Sequence, residues 1–519
     1  MTFHRLIGVA IATAFVLPHT SAAAQTRPSV PESAIPRLAD GKPNFQGIWQ
    51  ATSAAAADLQ DHGASLNMLA GRSVLSGGGA IPYQPWAAAK RAENFRNRLK
   101  DDPLNQCYFP GTPRIMYMDF PFQIFQTPDA VAVTFAWSQM YRLIYTNGRP
   151  HATDVTDTWM GDSRGRWDGD VLVVDITNYN DKTWFDMAGD FHSDALHVVE
   201  RYRMTAPDAI QYEATIEDSK VFTKPWTISL ALHRRTDVDR LYEYVCQAEV
   251  EETNGAFTRE ARTWYPGDGT TPAAMPMPVH AAQVTANVPA DVRRTADGKP
   301  DLQGFYESKS PGANQGLQRE ARRQGIIVDP PDGKLPLLPW AAEETLNRNL
   351  PERGYDDPTA HCFPAGVPRS MYVPAAIHII QTPEYVVFLH ERMSWRVVPL
   401  DGRPHVPDAI RLWQGDSVGR WEGDTLVIDT TNLNGKTWLN EGGEFVSYAE
   451  HVVEQITPTG PGTLRYQATV ADPVAYARPW TIAFPMQRGT FEMYESTCHE
   501  TDRDLPHLKA IKDAAAAKR

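Results

Sequence analysis

The 519-residue chain carries 63 acidic against 50 basic residues, a formal charge of −13, and is 42% hydrophobic and 10% aromatic. That balance offers no basic face for nucleic acid or an anionic membrane surface, yet it supplies enough apolar side chains for packed cores. Beyond the first 24 residues no window approaches the roughly 18–20 apolar residues of a membrane-spanning helix.

The N-terminus reads as a leader: Arg5, an uncharged apolar run from Leu6 to Leu17, then Ala22, Ala23 and Ala24 before Gln25. Residues 1–24 are therefore predicted to be a cleaved export signal, placing the mature protein in the periplasm or outside the cell. Its removal takes one arginine and no acid, so the mature charge is 49 − 63 = −14.

The remainder is one module written twice. RLADGKPNFQGIW (37–49) returns as RTADGKPDLQGFY (294–306), and DDPLNQCYFPGTPRIMY (101–117) as DDPTAHCFPAGVPRSMY (356–372). The segment 161–184 returns as 415–438 with 17 of 24 positions identical, and the offsets elsewhere stay near 254. Copy 1 is predicted over residues 25–263 and copy 2 over 293–508, joined by a Pro- and Ala-rich extended linker at 264–292 and followed by a tail at 509–519.

Within copy 1 the runs FQIFQTP, VAVTFAW, MYRLIYT, VLVVDITN, LHVVERYRM, IQYEATIED, WTISLALHR and LYEYVC have strand length and composition. Asp168-Gly169, like Glu422-Gly423, is predicted to turn a type I′ hairpin. Amphipathic helices are expected near Trp86–Leu99 and Trp340–Leu350. The fold class predicted is all-β with minor helices: two tandem antiparallel meanders that close into barrels and so remove their edges. A β-sandwich is the alternative. Gly47-Ile48-Trp49 is similar to the Gly-x-Trp of lipocalin-type (calycin) barrels, whereas copy 2 has Gly304-Phe305-Tyr306.

Each copy holds two cysteines, so the repeat makes Cys107–Cys246 and Cys362–Cys498 the natural pairing in an oxidising compartment. The markers ADGKPDLQG, GDSxGRWEGDTLVVDT, NxKTW and HVVER resemble a large family of bacterial exported proteins. The resemblance implies export and a β-rich fold, and it brings no activity with it.

Chemistry is sought where polar groups interrupt apolar strands. Asp175 and Asp429 do so in VLVVDIT and TLVIDTT, and His197 and His451 begin the next strand, so an Asp–His pair across neighbouring strands is expected. If that face pointed into the barrel, each carboxylate would be largely buried. Alternation puts Glu200 on the face opposite His197. Only copy 1 adds His192, because copy 2 has Val446 there. Asp175, His197, His192 and Lys182 are thus the candidate catalytic residues. Trp184, His151, Arg149, Arg114, His451, Asp429 and Trp438 are candidates for substrate binding, with Asp101 or Asp356 as possible carboxylate partners for Arg114 and its counterpart Arg369. Asp162 and Ser163 read as a capped turn.

No metal or cofactor is expected, since no nucleophile elbow, phosphate loop, zinc helix or dinucleotide fingerprint occurs. The function anticipated is an exported, cofactor-independent enzyme acting on a small apolar or aromatic molecule by His/Asp acid–base chemistry, as an isomerase, lyase, hydratase or hydrolase. The alternatives are a non-catalytic periplasmic binding or carrier protein, and a structural or envelope-assembly protein.

Overall fold

Alternating apolar residues flanked by turn signals do form strands throughout. A computed structural model describes residues 35–153, 156–253, 275–277, 288–321, 324–490, 492–493, 495–498 and 504–518. The export signal at 1–24 and most of the linker lie outside the described residues.

The first module is a closed nine-stranded barrel: β1 (Gly47–Ala51), β2 (Phe122–Gln126), β3 (Ala130–Phe135), β4 (Tyr141–Tyr145), β5 (Asp162–Asp168), β6 (Val171–Thr177), β7 (His197–Ala206), β8 (Ala209–Glu217) and β9 (Trp226–Arg234), with β9 returning to β1. The second repeats it with β10 (Gly304–Ser308), β11 (Ile327–Asp329), β12 (Ile377–Gln381), β13 (Tyr385–His390), β14 (Ser394–Pro399), β15 (Asp416–Glu422), β16 (Thr425–Thr431), β17 (His451–Gly460), β18 (Thr463–Ala471) and β19 (Trp480–Arg488). Here β10 lies between β12 and β19, β11 adds to β19, and the sheet runs from β14 to β15 without a ladder between those two edges. The protein is thus two barrel-like sheets, one closed and one nearly so, and the sandwich alternative is set aside.

The meander is not wholly antiparallel. β4 meets β5 in parallel through Tyr145 and Arg164 alone, so the connection 146–161 has to travel back along the barrel wall. The β5–β6 turn also differs from expectation. Asp168 pairs with Val171, leaving Gly169 and Asp170 at the turn, and only Gly169 has positive φ (60°). That is the type II′ pattern. Arg37 grips the turn through both oxygens of Asp170 (2.8 and 2.6 Å), and Arg294 does the same to Asp424, which ties the RLADGKP motif to the WDGD motif.

Inside each barrel the apolar core encloses a buried ion pair between two strands. Arg142 lies 2.8 Å from Glu200, which also accepts the hydroxyls of Tyr202 (3.1 Å) and Tyr212 (2.7 Å). Arg396 and Glu454, with Tyr466, repeat the pattern. At the seam, Trp49 is fully buried, its indole N–H donates to the Phe45 carbonyl at 2.7 Å, and the Arg234 guanidinium lies 4.3 Å from its ring. In the second module Tyr306 takes that place under Arg488.

The barrels pack wall to wall. Phe125, Ala132 and Tyr141 from β2–β4 bury against Ile380, Val387, Leu389 and Trp395 from β12–β14, and the Trp395 N–H donates to the Phe135 carbonyl at 2.9 Å. Strands β2 and β3 are consequently buried on both faces, which explains the near-continuous apolar run AVAV in β3. The helices expected from the pattern are α1 (Pro85–Asp101) and, after α2 (Cys246–Thr253), α3 (Pro339–Arg348). A further helix, α4 (Asp504–Ala516), runs across the module boundary drawn at residue 508. Both disulfides form as paired in the repeat, Cys107–Cys246 and Cys362–Cys498.

LYEYVC (241–246), read as a strand, is instead an extended arm that leaves its own barrel and crosses to the other. Residues 492–493 and 495–498 belong to the matching arm of the second module. Glu243 accepts the backbone N–H groups of Trp413 and Gln414, and Glu495 those of Trp159 (2.8 Å) and Met160 (2.9 Å).

Candidate functional site

Asp175 and His197 meet as the strand order requires. β6 pairs with β7, and Asp175 Oδ1 lies 3.1 Å from His197 Nε2. The face is the outer one, however. Leu172, Val174 and Ile176 point into the core, whereas the side chains of Asp175 and His197 remain 50% and 35% exposed. The carboxylate is therefore on the barrel's outer wall instead of in its interior. Glu200 faces inward, opposite His197, as alternation requires.

His151, placed among the binding candidates, joins this pair. Its Nε2 lies 3.1 Å from the same Asp175 oxygen and its Nδ1 2.9 Å from Asp162. The result is a chain Asp162–His151–Asp175–His197, with Glu217 3.6 Å beyond the last ring. Asp162 and Ser163, read as a turn, are the first residues of β5, and Asp162 is the head of this chain. The second module repeats it: Asp416–His405 at 2.9 Å, His405–Asp429 at 3.2 Å and Asp429–His451 at 2.9 Å. Hydrogen bonds to Asp416 and Asp429 raise His405 to about 9, and the two imidazoles hold Asp429 well below the usual carboxylate range despite its burial. Ala471 stands where the first module has Glu217. Both chains pin the β4–β5 type of crossover to the barrel wall through a histidine at its middle.

Most other predicted residues are engaged in contacts within the protein. His192 is buried, with Nε2 2.5 Å from the Thr183 hydroxyl and Nδ1 2.9 Å from the Ser193 carbonyl, and burial lowers its pKa. Both ring nitrogens are used internally, so it adds no second imidazole to the Asp175 chain. Arg114 is buried and bidentate with Asp102 (2.9 and 2.7 Å), and Arg369 with Asp357 (both 2.8 Å). The partners are thus the residues after Asp101 and Asp356, because Asp102 and Asp357 cap the following 3₁₀ turn and point inward. Arg149 reaches Glu492 of the opposite arm at 2.8 Å. Lys182 lies 5.6 Å over the Trp159 ring. Trp184 is half-buried in a bridge with Phe191, and Trp438 is buried under the Arg348 guanidinium.

The first module also gathers Asp58, Asp186 and Asp190 with carboxylate oxygens within 4.8 Å of one another, a geometry compatible with a metal ion. Arg91 bridges Asp58 (2.9 Å) and Asp190 (3.0 Å), and burial together with Asp190 pushes Asp186 well up. In the second module Asn440 and Glu444 follow at the same spacing as Asp186 and Asp190.

An apolar space among the described residues is one the sequence did not indicate. A cleft lies between the modules and is lined by Phe109, Val245, Phe363, Val373, Ala375 and Met393, with both disulfides at its wall. Two buried polar side chains border it without internal partners for their polar atoms, His390 at both ring nitrogens and Ser370 at its hydroxyl, and the amide oxygen of Gln139 is likewise unmatched. Leaving such a group unsatisfied costs about 1–3 kcal/mol. Burial, reinforced by Arg396, lowers His390 to about 3, so its ring is neutral. Ser138 and Gln139 form the β3–β4 turn with φ of 50° and 53°, a left-handed backbone that non-glycine residues seldom adopt. Comparing PRIMY with PRSMY, and FAW with HER, would have exposed the polar replacements.

No protein-family model matches the chain, and no curated protein matches it in sequence.

Proposed function

We propose that the protein is an exported small-molecule-binding protein whose ligand occupies the cleft between its two modules. The observation that carries this reading is the cleft itself: concave, mainly apolar, and bordered by a few buried polar groups, the usual make-up of a ligand site. The leader sequence and the two disulfides support export. The Asp–His chains carry less weight, because they recur in both modules, sit on the outer walls and hold crossover loops.

The test is native mass spectrometry of the full chain recovered from its export compartment, beside an Ala375→Trp variant that fills the cleft. A retained small molecule in the wild type and none in the variant is the expected outcome. A ligand held equally by both would place binding elsewhere. Acid–base catalysis is the second reading, favoured by the 3.1 Å contact between Asp175 and the half-exposed His197.

A further inference from the structure

The duplicated modules provide an internal comparison at the cleft. β3 and β13 align through their QTP turns, which sets His390 opposite Phe135, and PRIMY aligns with PRSMY, which sets Ser370 opposite Ile115. In the first module both positions are apolar and buried: Phe135 packs on Phe122 at 5.6 Å, and Ile115 belongs to the barrel core. In the second module the same positions carry an imidazole and a hydroxyl, each buried to more than nine-tenths, with no partner for either ring nitrogen or for the hydroxyl. The fold accepts Phe and Ile at these places, so the polar pair answers no internal need. Both side chains line the cleft, and the Gln139 amide oxygen borders it from the first module on a strained turn. Arg392, exposed at the mouth, is the only formally charged side chain lining this space among the described residues.

A neutral imidazole presents one N–H donor and one lone pair, and a serine hydroxyl can also give and accept. The complementary group must do both in a small volume, which a hydroxyl does. We infer that the cleft selects an uncharged ring compound bearing a hydroxyl group, with His390 and Ser370 reading the hydroxyl and Phe109, Phe363, Val373 and Met393 enclosing the ring. This rests on the cleft being the ligand site, as proposed above.

The experiment is titration calorimetry of the full chain with 2-naphthol, naphthalene and 2-naphthoate, in wild type, in Ala375→Trp, and in a His390→Phe/Ser370→Ile variant that restores the first module's residues. The wild type is expected to bind 2-naphthol at least about tenfold more tightly than either other probe, one hydrogen bond's worth of preference. In the double variant the naphthol preference should fall to within about twofold while naphthalene binding persists and Tm rises, since two unsatisfied groups are gone. Equal wild-type affinities for naphthol and naphthalene, tighter binding of naphthoate, or a preference that survives in the double variant would overturn the hydroxyl selection while leaving the cleft as the site. Binding unaffected by Ala375→Trp, or no binding of any probe, would overturn the cleft and the inference together.

Discussion

Glu243, carried on the arm of the first module, caps the backbone N–H of Trp413 in the second at 2.5 Å. The contact is reciprocal in kind, since Glu495 caps Trp159 and Met160 in the opposite direction. Each barrel therefore has the wall beside its β4–β5 type of gap covered by a segment of the other. Around this double clasp the molecule's stability, pH response and ligand site can be tested.

The first test concerns pH. Burial pushes Glu243 up to about 7, against the opposing hydrogen bonds of the Gln414 and Trp413 backbone and the Gln139 amide. A carboxyl raised in the folded state lends stability that is complete below its ordinary value and lost as pH rises through about 7. Glu243→Gln should thus remove part of the fall in Tm between about pH 5 and pH 8, and be the more stable form at the upper end. Parallel wild-type and variant Tm curves over that range would refute the assignment.

His405 gives a second, separable slope. Raised from 6.5 to about 9 by Asp416 and Asp429, it contributes stability that is full below 6.5 and lost as pH climbs through about 9. Allowing for its partial exposure, the contribution is on the order of 1–2 kcal/mol. His405→Asn should lower Tm at about pH 6 and converge on wild type near pH 10. A variant equally destabilised at both ends would mean that shape, not charge, is what His405 supplies.

Arg114 and Asp102 should behave as a buried unit. Arg114→Ala strands the Asp102 carboxylate and is expected to cost about 3–5 kcal/mol in denaturant unfolding. Arg114→Met combined with Asp102→Leu should recover most of that loss. If Arg114→Ala unfolds like wild type but weakens ligand binding, the residue belongs to a site after all.

His192 and His197 separate the two functional readings. His192→Val installs the residue present at the equivalent place in the second module, Val446, and is expected to change stability by about 1 kcal/mol or less. His197→Ala should leave 2-naphthol affinity at its wild-type value. Loss of a measured turnover in His197→Ala, with binding intact, would move acid–base catalysis ahead of simple binding.

The legibility of the sequence follows physical lines. Strands, the hairpin at Gly169, the disulfides and the pairing of Asp175 with His197 were readable because each depends on local periodicity or on neighbouring strands. The direction of the Asp175 face was not, since VLVVDIT is apolar on both sides and Val173 is buried on the outer one. His151 could not be tied to Asp175 from spacing alone, because the parallel β4–β5 step brings its loop back across the wall. The arms escaped notice because LYEYVC has strand composition but finds its partners 170 residues away. The cleft's polar edge lay in plain view as Ser370 opposite Ile115, yet only burial shows that its hydroxyl lacks a partner.

One further property follows from the arms. Counting back from Cys246 and Cys498, Arg240 and Glu492 occupy the same place, with opposite charge. Arg240 meets Asp416 at 2.6 Å, whereas Glu492 meets Arg164 at 3.0 Å, and the second module has Val418 where Arg164 stands. Were the second module replaced by a copy of the first, Arg240 would meet Arg164 beside Asp162, the counterpart of its present partner Asp416. The clasp is therefore asymmetric: at this place the two arms carry opposite charges, and each meets its opposite on the other module. A swap of arms between the modules would set Glu492 against Asp416, with Val418 in place of the arginine it now meets.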